Sequence, residues 1–295
     1  MTSVVDSIAG DLRRLGVASG DHVLVRAALA GMAAAPSDRA RTLIRSLLNV
    51  VGDDGTIVAL TFSNGFLRPK KHPDYVFDRD LPCATGGFAE AVRTWRSASR
   101  SRHPLNSFSA IGARSEELTR DHNTTSACFA PMEKLMAWDG KMILVGCVAS
   151  SPGFSTVHLA QYHLGLSYRT WLSGLGGVLY RDGNGDVRTF TRRDIPGCSS
   201  GFSNYYSEYV KRGFLRTGTV GGAYSVAIDC KQAYDTELEL LRRAPRSALC
   251  SNPACMFCRG TLYYNKRDWP VYFLRNGSAF LRDALIQVRG KRRAK

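Results

Sequence analysis

The chain is short of negative charge. It carries 25 Asp and Glu against 40 Lys and Arg, a formal net charge of +15 over 295 residues. A deficit of that size directs attention to phosphate-bearing partners: nucleic acid, a nucleotide cofactor or an anionic carrier. No run of about 18 uncharged apolar residues exists, so no membrane span or membrane partner is expected. The N-terminal residues carry Asp6 and Asp11 inside their apolar period. That describes an amphipathic helix rather than a secretory signal, and a cytoplasmic location is expected. There is no G-x-x-x-x-G-K-[ST] and no G-x-G-x-x-G, which removes a P-loop kinase and a standard dinucleotide fold. There is no internal repeat and no long linker. What is present is an ordinary globular balance, 44% hydrophobic and 22% charged, which argues against a disordered chain.

The charge is uneven. From Arg259 to Lys295 there are ten Lys or Arg against two Asp. Residues 281–295 read as a solvated basic tail. A second knot, Arg93, Arg96, Arg100 and Arg102, precedes the loop-like Ser101-Arg102-His103-Pro104.

Helical and strand periods alternate along the chain. Helices are expected over residues 3–15, after Ser37 to Val51, over 85–95, 115–119, 156–166 with Ser155 as N-cap, and about 231–243. Strands are expected at 23–25, 56–62, 107–112 and 142–147. Residues 63–84 read as a long functional loop. Asp182-Gly183-Asn184-Gly185 between two alternating runs reads as a hairpin turn. It is not a calcium loop, because Val187 stands at the required Gly and Arg193 at the required Glu. The fold class expected is α/β, a layered α/β sandwich with a central mixed sheet and a decorated C-terminal half. One domain over residues 1–280 is expected.

Three candidate centres stand out. Gly197-Cys198-Ser199-Ser200-Gly201 matches a serine nucleophile elbow, but the preceding residues are polar and end in Pro196, not in a buried strand. The histidines are six, so each can be weighed. His22, His72, His122 and His163 lack supporting partners. His103 lies among arginines and hydroxyls. His158 falls in the first turn of a helix, where the positive dipole end keeps the ring neutral, as a general base requires. Cys250-x4-Cys255-x2-Cys258 has zinc-knuckle spacing, with Cys198 or Cys230 as a distant fourth ligand. Four thiolates leave no open position, so such a zinc would be structural.

In order along the chain, several segments resemble the aminoglycoside 3-N-acetyltransferase family, with its antibiotic N-acetyltransferase fold. They are Gly20-Asp21-His22-Val23-Leu24-Val25, Gly55-Thr56-Ile57-Val58 with Thr61-Phe62, and Thr85-Gly86-Gly87-Phe88-Ala89-Glu90. Further on are Arg100-Ser101-x-His103-Pro104-x-x-Ser107, Asp139-Gly140-Lys141 to Gly146, Thr156-Val157-His158-Leu159-Ala160, and Gly218-x-Val220-Gly221. The resemblance implies an acetyl-CoA-dependent N-acetyltransferase acting on an aminoglycoside or related amino sugar, without an acyl-enzyme. It implies His158 as general base, with Thr156 orienting it or holding the tetrahedral intermediate. It places Arg96, Arg100, Ser101, Arg102, His103 and Ser107 on the CoA side.

Two departures matter. Where the family carries Glu three residues after the base, this chain has Gln161, so Asp78 and Glu90 become candidate helper and substrate-binding carboxylates. The family's Val-His-Ser-Ser is Val25-Arg26-Ala27-Ala28 here, so Ala27 and Ala28 replace hydroxyls expected beside the thioester. The expected partners are a small-molecule amine and a CoA or phosphopantetheine donor. The net charge keeps an anionic or nucleotide-linked amine, or a carrier-protein donor, as alternatives. A non-catalytic zinc-containing nucleic-acid binder is the alternative from another class.

Overall fold

A computed structural model describes residues 3–66, 68–166, 176–192, 194, 198–252, 255, 258, 274, 277–278 and 281. The basic tail expected over 281–295 lies outside the described residues except for Leu281, as do Pro196 and Gly197 of the motifs above and Pro253, which falls between Cys250 and Cys255. Among the described residues no helix is long and apolar enough to cross a membrane.

Helix α1 (Val4–Arg14) opens the chain, capped by Ser3, whose hydroxyl accepts from the Asp6 N–H. Strand β1 (His22–Ala27), α2 (Arg39–Val51) and β2 (Thr56–Leu60) follow. Ser37 does not cap α2; Asp38 occupies that position without a side-chain bond. The loop expected over 63–84 contains the short β3 (Val76–Phe77). Then come α3 (Gly87–Arg93), β4 (Ser99–Arg100), β5 (Phe108–Gly112), α4 (Ser115–Thr119) and α5 (Pro131–Ala137). Helix α5 was not anticipated; its start is marked by Pro131 at the first helical position, a residue suited to that place. Strand β6 (Lys141–Val145) leads to α6 (Thr156–His163). The rest comprises β7 (Gly177–Arg181), β8 (Val187–Thr191), a 3-10 segment Ser199–Tyr205, α7 (Tyr206–Lys211), β9 (Arg216–Val220), β10 (Ala223–Asp229) and α8 (Cys230–Arg243).

Seven strands form one mixed sheet in the order β4-β5-β2-β1-β6-β10-β9. Strand β1 runs parallel to both β2 and β6, and the outer pairs are antiparallel. Strands β3, β7 and β8 make a second, three-stranded sheet, and the Asp182–Asp186 turn closes its hairpin as expected.

Strand residues alternate between two cores, which follows from the two-residue period of a strand. Leu24, Val58, Ala110, Leu144 and Val226 face α4 to α8. Val23, Val25, Ile57, Ile111, Ile143 and Val145 face α1 to α3. Helices thus cover both faces of the large sheet. Strand β1 lies between two parallel neighbours reached through helices on opposite faces. The crevice beyond the carboxyl ends of such strands is where open α/β sheets bind ligands.

Candidate active site

A cavity of about 560 Å³ lies at that edge. The end of β1 supplies Arg26, Ala27 and Ala28, and the residues after β2 and β6 supply Phe62 and Cys147. Thr85 and Gly86 enter from the turn before α3, and Ser155 and His158 from the start of α6. Ser199 and Phe202 close the far side.

His158 is the cavity's titratable centre. Its ring stacks on Phe129, with centroids 4.7 Å apart, and meets the Phe202 edge at 4.7 Å. The ring is packed on its flanks yet keeps an edge open to the cavity. Burial drives its pKa down to about 3, opposed by the nearby Gln161 amide and reinforced by the charge of Arg26. The start of α6 adds its positive dipole end. The imidazole is therefore neutral at neutral pH and can take a proton. Neither His158 Nδ1 nor Gln161 Oε1 completes a well-formed hydrogen bond, although the amide lies near enough to affect the ring. Gln161 is itself buried beside it.

Thr156 is set behind the ring rather than along the cavity. Its hydroxyl donates to Glu237 Oε1 at 2.8 Å, and the Tyr209 hydroxyl donates to the same oxygen at 2.5 Å. Glu237 is fully buried and its pKa is raised to about 8 by desolvation, so it is chiefly protonated at pH 7. The sequence reading missed it. Its signal was weak: an acid at the buried spacing of α8, with Ala233 and Leu241 on the same face.

Arg26 is a second residue the reading underused. Its guanidinium donates to the Gly153 and Ser151 carbonyls at 2.9 Å each and to the Ser151 hydroxyl. It thereby braces the loop between β6 and α6 while presenting a cation to the cavity. Cys147 beside it is held as a thiol by burial.

The segment from Arg100 to Ser107, expected on the CoA side, packs largely into the protein. Arg100 is buried, and its guanidinium donates to Ser107 Oγ and to the carbonyls of Thr61, Arg79 and Leu81. His103 Nδ1 accepts from the Asn106 N–H at 2.9 Å, and its ring stacks on His122 at 4.8 Å. Ser101 Oγ lies 2.9 Å from His122 Nδ1. These residues form a buried polar knot in which bonds to backbone and to one another replace those to solvent. None of them is among the described lining residues, while Arg96 and Arg102 are exposed on the surface.

Asp78 and Glu90 also lie off the cavity lining. Asp78 Oδ1 accepts the N–H groups of Asp80 and Leu81, and Glu90 pairs with Arg93 and accepts from the Cys83 N–H. Ser199 does line the cavity, but it opens a 3-10 segment rather than a strand-to-helix elbow.

A ligand-sized crevice at a sheet's carboxyl edge, with one neutral imidazole on its wall, is the kind of site an α/β enzyme presents to a small-molecule substrate. Comparison with known proteins agrees. The profile of the family described as "Aminoglycoside 3-N-acetyltransferase" matches residues 24–242. Aminoglycoside N(3)-acetyltransferase VII of Streptomyces paromomycinus is 28% identical over 262 residues, covering 77% of this chain and 88% of that protein. Aminoglycoside N(3)-acetyltransferase IX of Micromonospora chalcea is 26% identical, covering 77% and 89%. Among solved structures, AAC-IIIb with CoASH superposes with a TM-score of 0.70 at 24% identity, covering 82% of this chain and 97% of that one. YokD from Bacillus subtilis gives 0.71 at 21%, covering 83% and 95%. The chain belongs to the aminoglycoside 3-N-acetyltransferase family. It is an N-acyltransferase of that kind.

Proposed function

We propose that the protein transfers an acetyl group from acetyl-CoA directly to an amine, with His158 as general base. The observation that carries this reading is the neutral imidazole opening into the cavity at the carboxyl edge of β1 and β6. The amine nitrogen attacks the thioester carbonyl, and a ring nitrogen of His158 takes the ammonium proton as the C–N bond forms. The tetrahedral adduct then collapses. The C–S bond breaks, and the sulfur leaves with the proton that His158 returns. Phe129 and Phe202 hold the ring plane, and Gln161 flanks it without adding charge. Thr156, tied to Glu237, fixes the helix that carries the base. Ala27 and Ala28 border the donor's thioester end, as the resemblance suggests, and Ser150 and Ser199 bring hydroxyls to the cavity from other walls.

By relationship the acceptor is an aminoglycoside or related amino sugar. One observation favours a second reading of the acceptor. No described residue lining the cavity is Asp or Glu, whereas Arg26 is there. The undescribed segments contain no acid except Asp268 and Asp283. A polycation finds no counter-charge in that lining, while an amine that also bears a carboxylate or phosphate would find Arg26. Release of CoA thiol, measured with acetyl-CoA and a panel of cationic and anionic amines, tests both readings. No release with any amine, together with no CoA binding by calorimetry, would sink acyl transfer. Preferential turnover of aminoglycosides would sink the second reading of the acceptor alone.

A further inference from the structure

Cys198 comes from the segment before α7, whereas Cys250, Cys255 and Cys258 follow α8. Folding brings their four sulfur atoms within 4.8 Å of one another. None of the eight cysteines is in a disulfide. Four thiolates around one Zn²⁺, each about 2.3 Å from the metal, lie roughly 3.8 Å apart, so this cluster needs only slight contraction to close on an ion. Two sulfurs also receive backbone N–H groups. Ser200 N–H points to Cys198 Sγ at 3.3 Å and Cys250 N–H to Cys258 Sγ at 3.5 Å. Such bonds orient and stabilise thiolate ligands. Cys250 and Cys258 are buried with Leu249 in a small apolar cluster, against which Cys198 and Cys255 pack. A half-buried tetrathiolate of this shape selects zinc over oxygen-preferring cations. Cys230, the other fourth ligand the spacing allowed, sits at the start of α8 in the main core and outside the cluster.

The cluster lies next to the cavity in the chain. Cys198 precedes Ser199 and Phe202, which line the cavity, and Phe202 touches the His158 ring. The same segment is fastened to the residues before Cys250. Asn204 Nδ2 donates to the Ser247 carbonyl at 2.9 Å, and Tyr205 and Ser247 share a hydroxyl pair at 2.9 Å. A Cβ on Gly201 would come within 2.5 Å of the Ala248 carbonyl oxygen, so the two backbones run in close contact.

We propose that Cys198, Cys250, Cys255 and Cys258 bind one Zn²⁺ as a closed structural site, and that the ion holds the Ser199–Phe202 wall against His158. The binding part stands on the cysteine geometry alone. The effect on turnover rests on the reading of the cavity as the acyl-transfer site. The metal performs no chemistry on substrate, since four thiolates occupy its coordination sphere.

Elemental analysis of the full chain, purified without chelator, is the first test. Zinc near one equivalent per chain is expected, with visible tetrahedral d–d bands on cobalt replacement. Zinc well below one equivalent with eight titratable thiols, or iron in its place, overturns the site. Cys198→Ser is expected to lower zinc retention against a chromogenic chelator at least tenfold, and Cys230→Ser to retain the metal fully. Zinc lost from Cys230→Ser but kept by Cys198→Ser overturns the ligand assignment. The wild-type metal content decides the binding question if Cys198→Ser does not fold. Chelator-stripped protein should lose acetyl transfer about tenfold and recover it with zinc. Full activity without the ion overturns the role of the wall while leaving the metal site intact.

Discussion

At the scale of single residues the proposed mechanism turns on how His158 is kept neutral. Its surroundings offer Phe129, Phe202 and the uncharged Gln161; the charges of Arg26 and Arg192 disfavour the imidazolium, and Cys198 acts the other way. His158→Ala should lower kcat by about 10²–10⁴-fold, the usual range for a lost general base. The acetyl-CoA Kd from calorimetry should stay within a few-fold of wild type, and retained turnover removes His158 as base. A carboxylate beside the ring would favour the imidazolium form. Gln161→Glu should therefore move the acidic limb of log kcat/KM to higher pH, since more protons must be removed before the base is free. An unmoved limb in pH–rate profiles would mean that the new carboxyl is itself protonated or that another group sets the rate. His158 was legible in the sequence because its place in a first helical turn is a local property. The burial of Arg100 was not, because its acceptors at Thr61, Arg79 and Leu81 come from segments far along the chain.

At the scale of elements, α6 is held in register by α8 and α7 through one protonated carboxyl. Glu237 keeps its proton in the folded protein up to about pH 8, whereas an unfolded Glu releases it near 4.5. Between those values the folded state binds more protons than the unfolded state, so this group's contribution falls as pH rises. Glu237→Gln keeps an acceptor for Thr156 and Tyr209 without the titration. The variant should melt several degrees higher than wild type at pH 8.5 and differ little near pH 5, as read by circular dichroism. Equal pH dependence in the two proteins would remove Glu237 from this role. The loop after β6 makes a second test. Gly153 has φ of 73°, and a Cβ there would fall 2.1 Å from Phe202 Cβ. Gly153→Ala should cost about 1–3 kcal/mol, by overpacking. It should also lower kcat/KM, since the displaced Phe202 touches the His158 ring. Denaturant melts together with kinetics separate the two effects. Most elements were readable from apolar period and turn chemistry, including the Asp182–Asp186 hairpin. Helix α5 and strands β3 and β4 were not; a two-residue strand carries no period at all and is set by the strand it pairs with.

At the scale of the whole molecule, a net charge of +15 surrounds a cavity whose described lining bears a cation and no carboxylate. That field repels polycations and attracts anionic amines, and salt screens it. Raising ionic strength should increase kcat/KM for an aminoglycoside acceptor and decrease it for an amine bearing carboxylate or phosphate. Reversed salt slopes in thiol-release kinetics would mean that the field around the cavity differs in sign from the overall charge, and equal slopes that the overall charge exerts no field there.

The alternation of strand and helix, two-faced burial and the candidate base were set by the sequence itself, because periodicity and helix-end chemistry act between near neighbours. The family could likewise be read from motifs in order. Only the tertiary structure chose Cys198 over Cys230 beside the C-terminal cysteines, turned the Arg100 knot inward, and set Glu237 against Thr156 across 81 residues. Those outcomes depend on which surfaces the sheet brings face to face. Long-range packing and the satisfaction of buried polar groups decide that, and no local pattern encodes either.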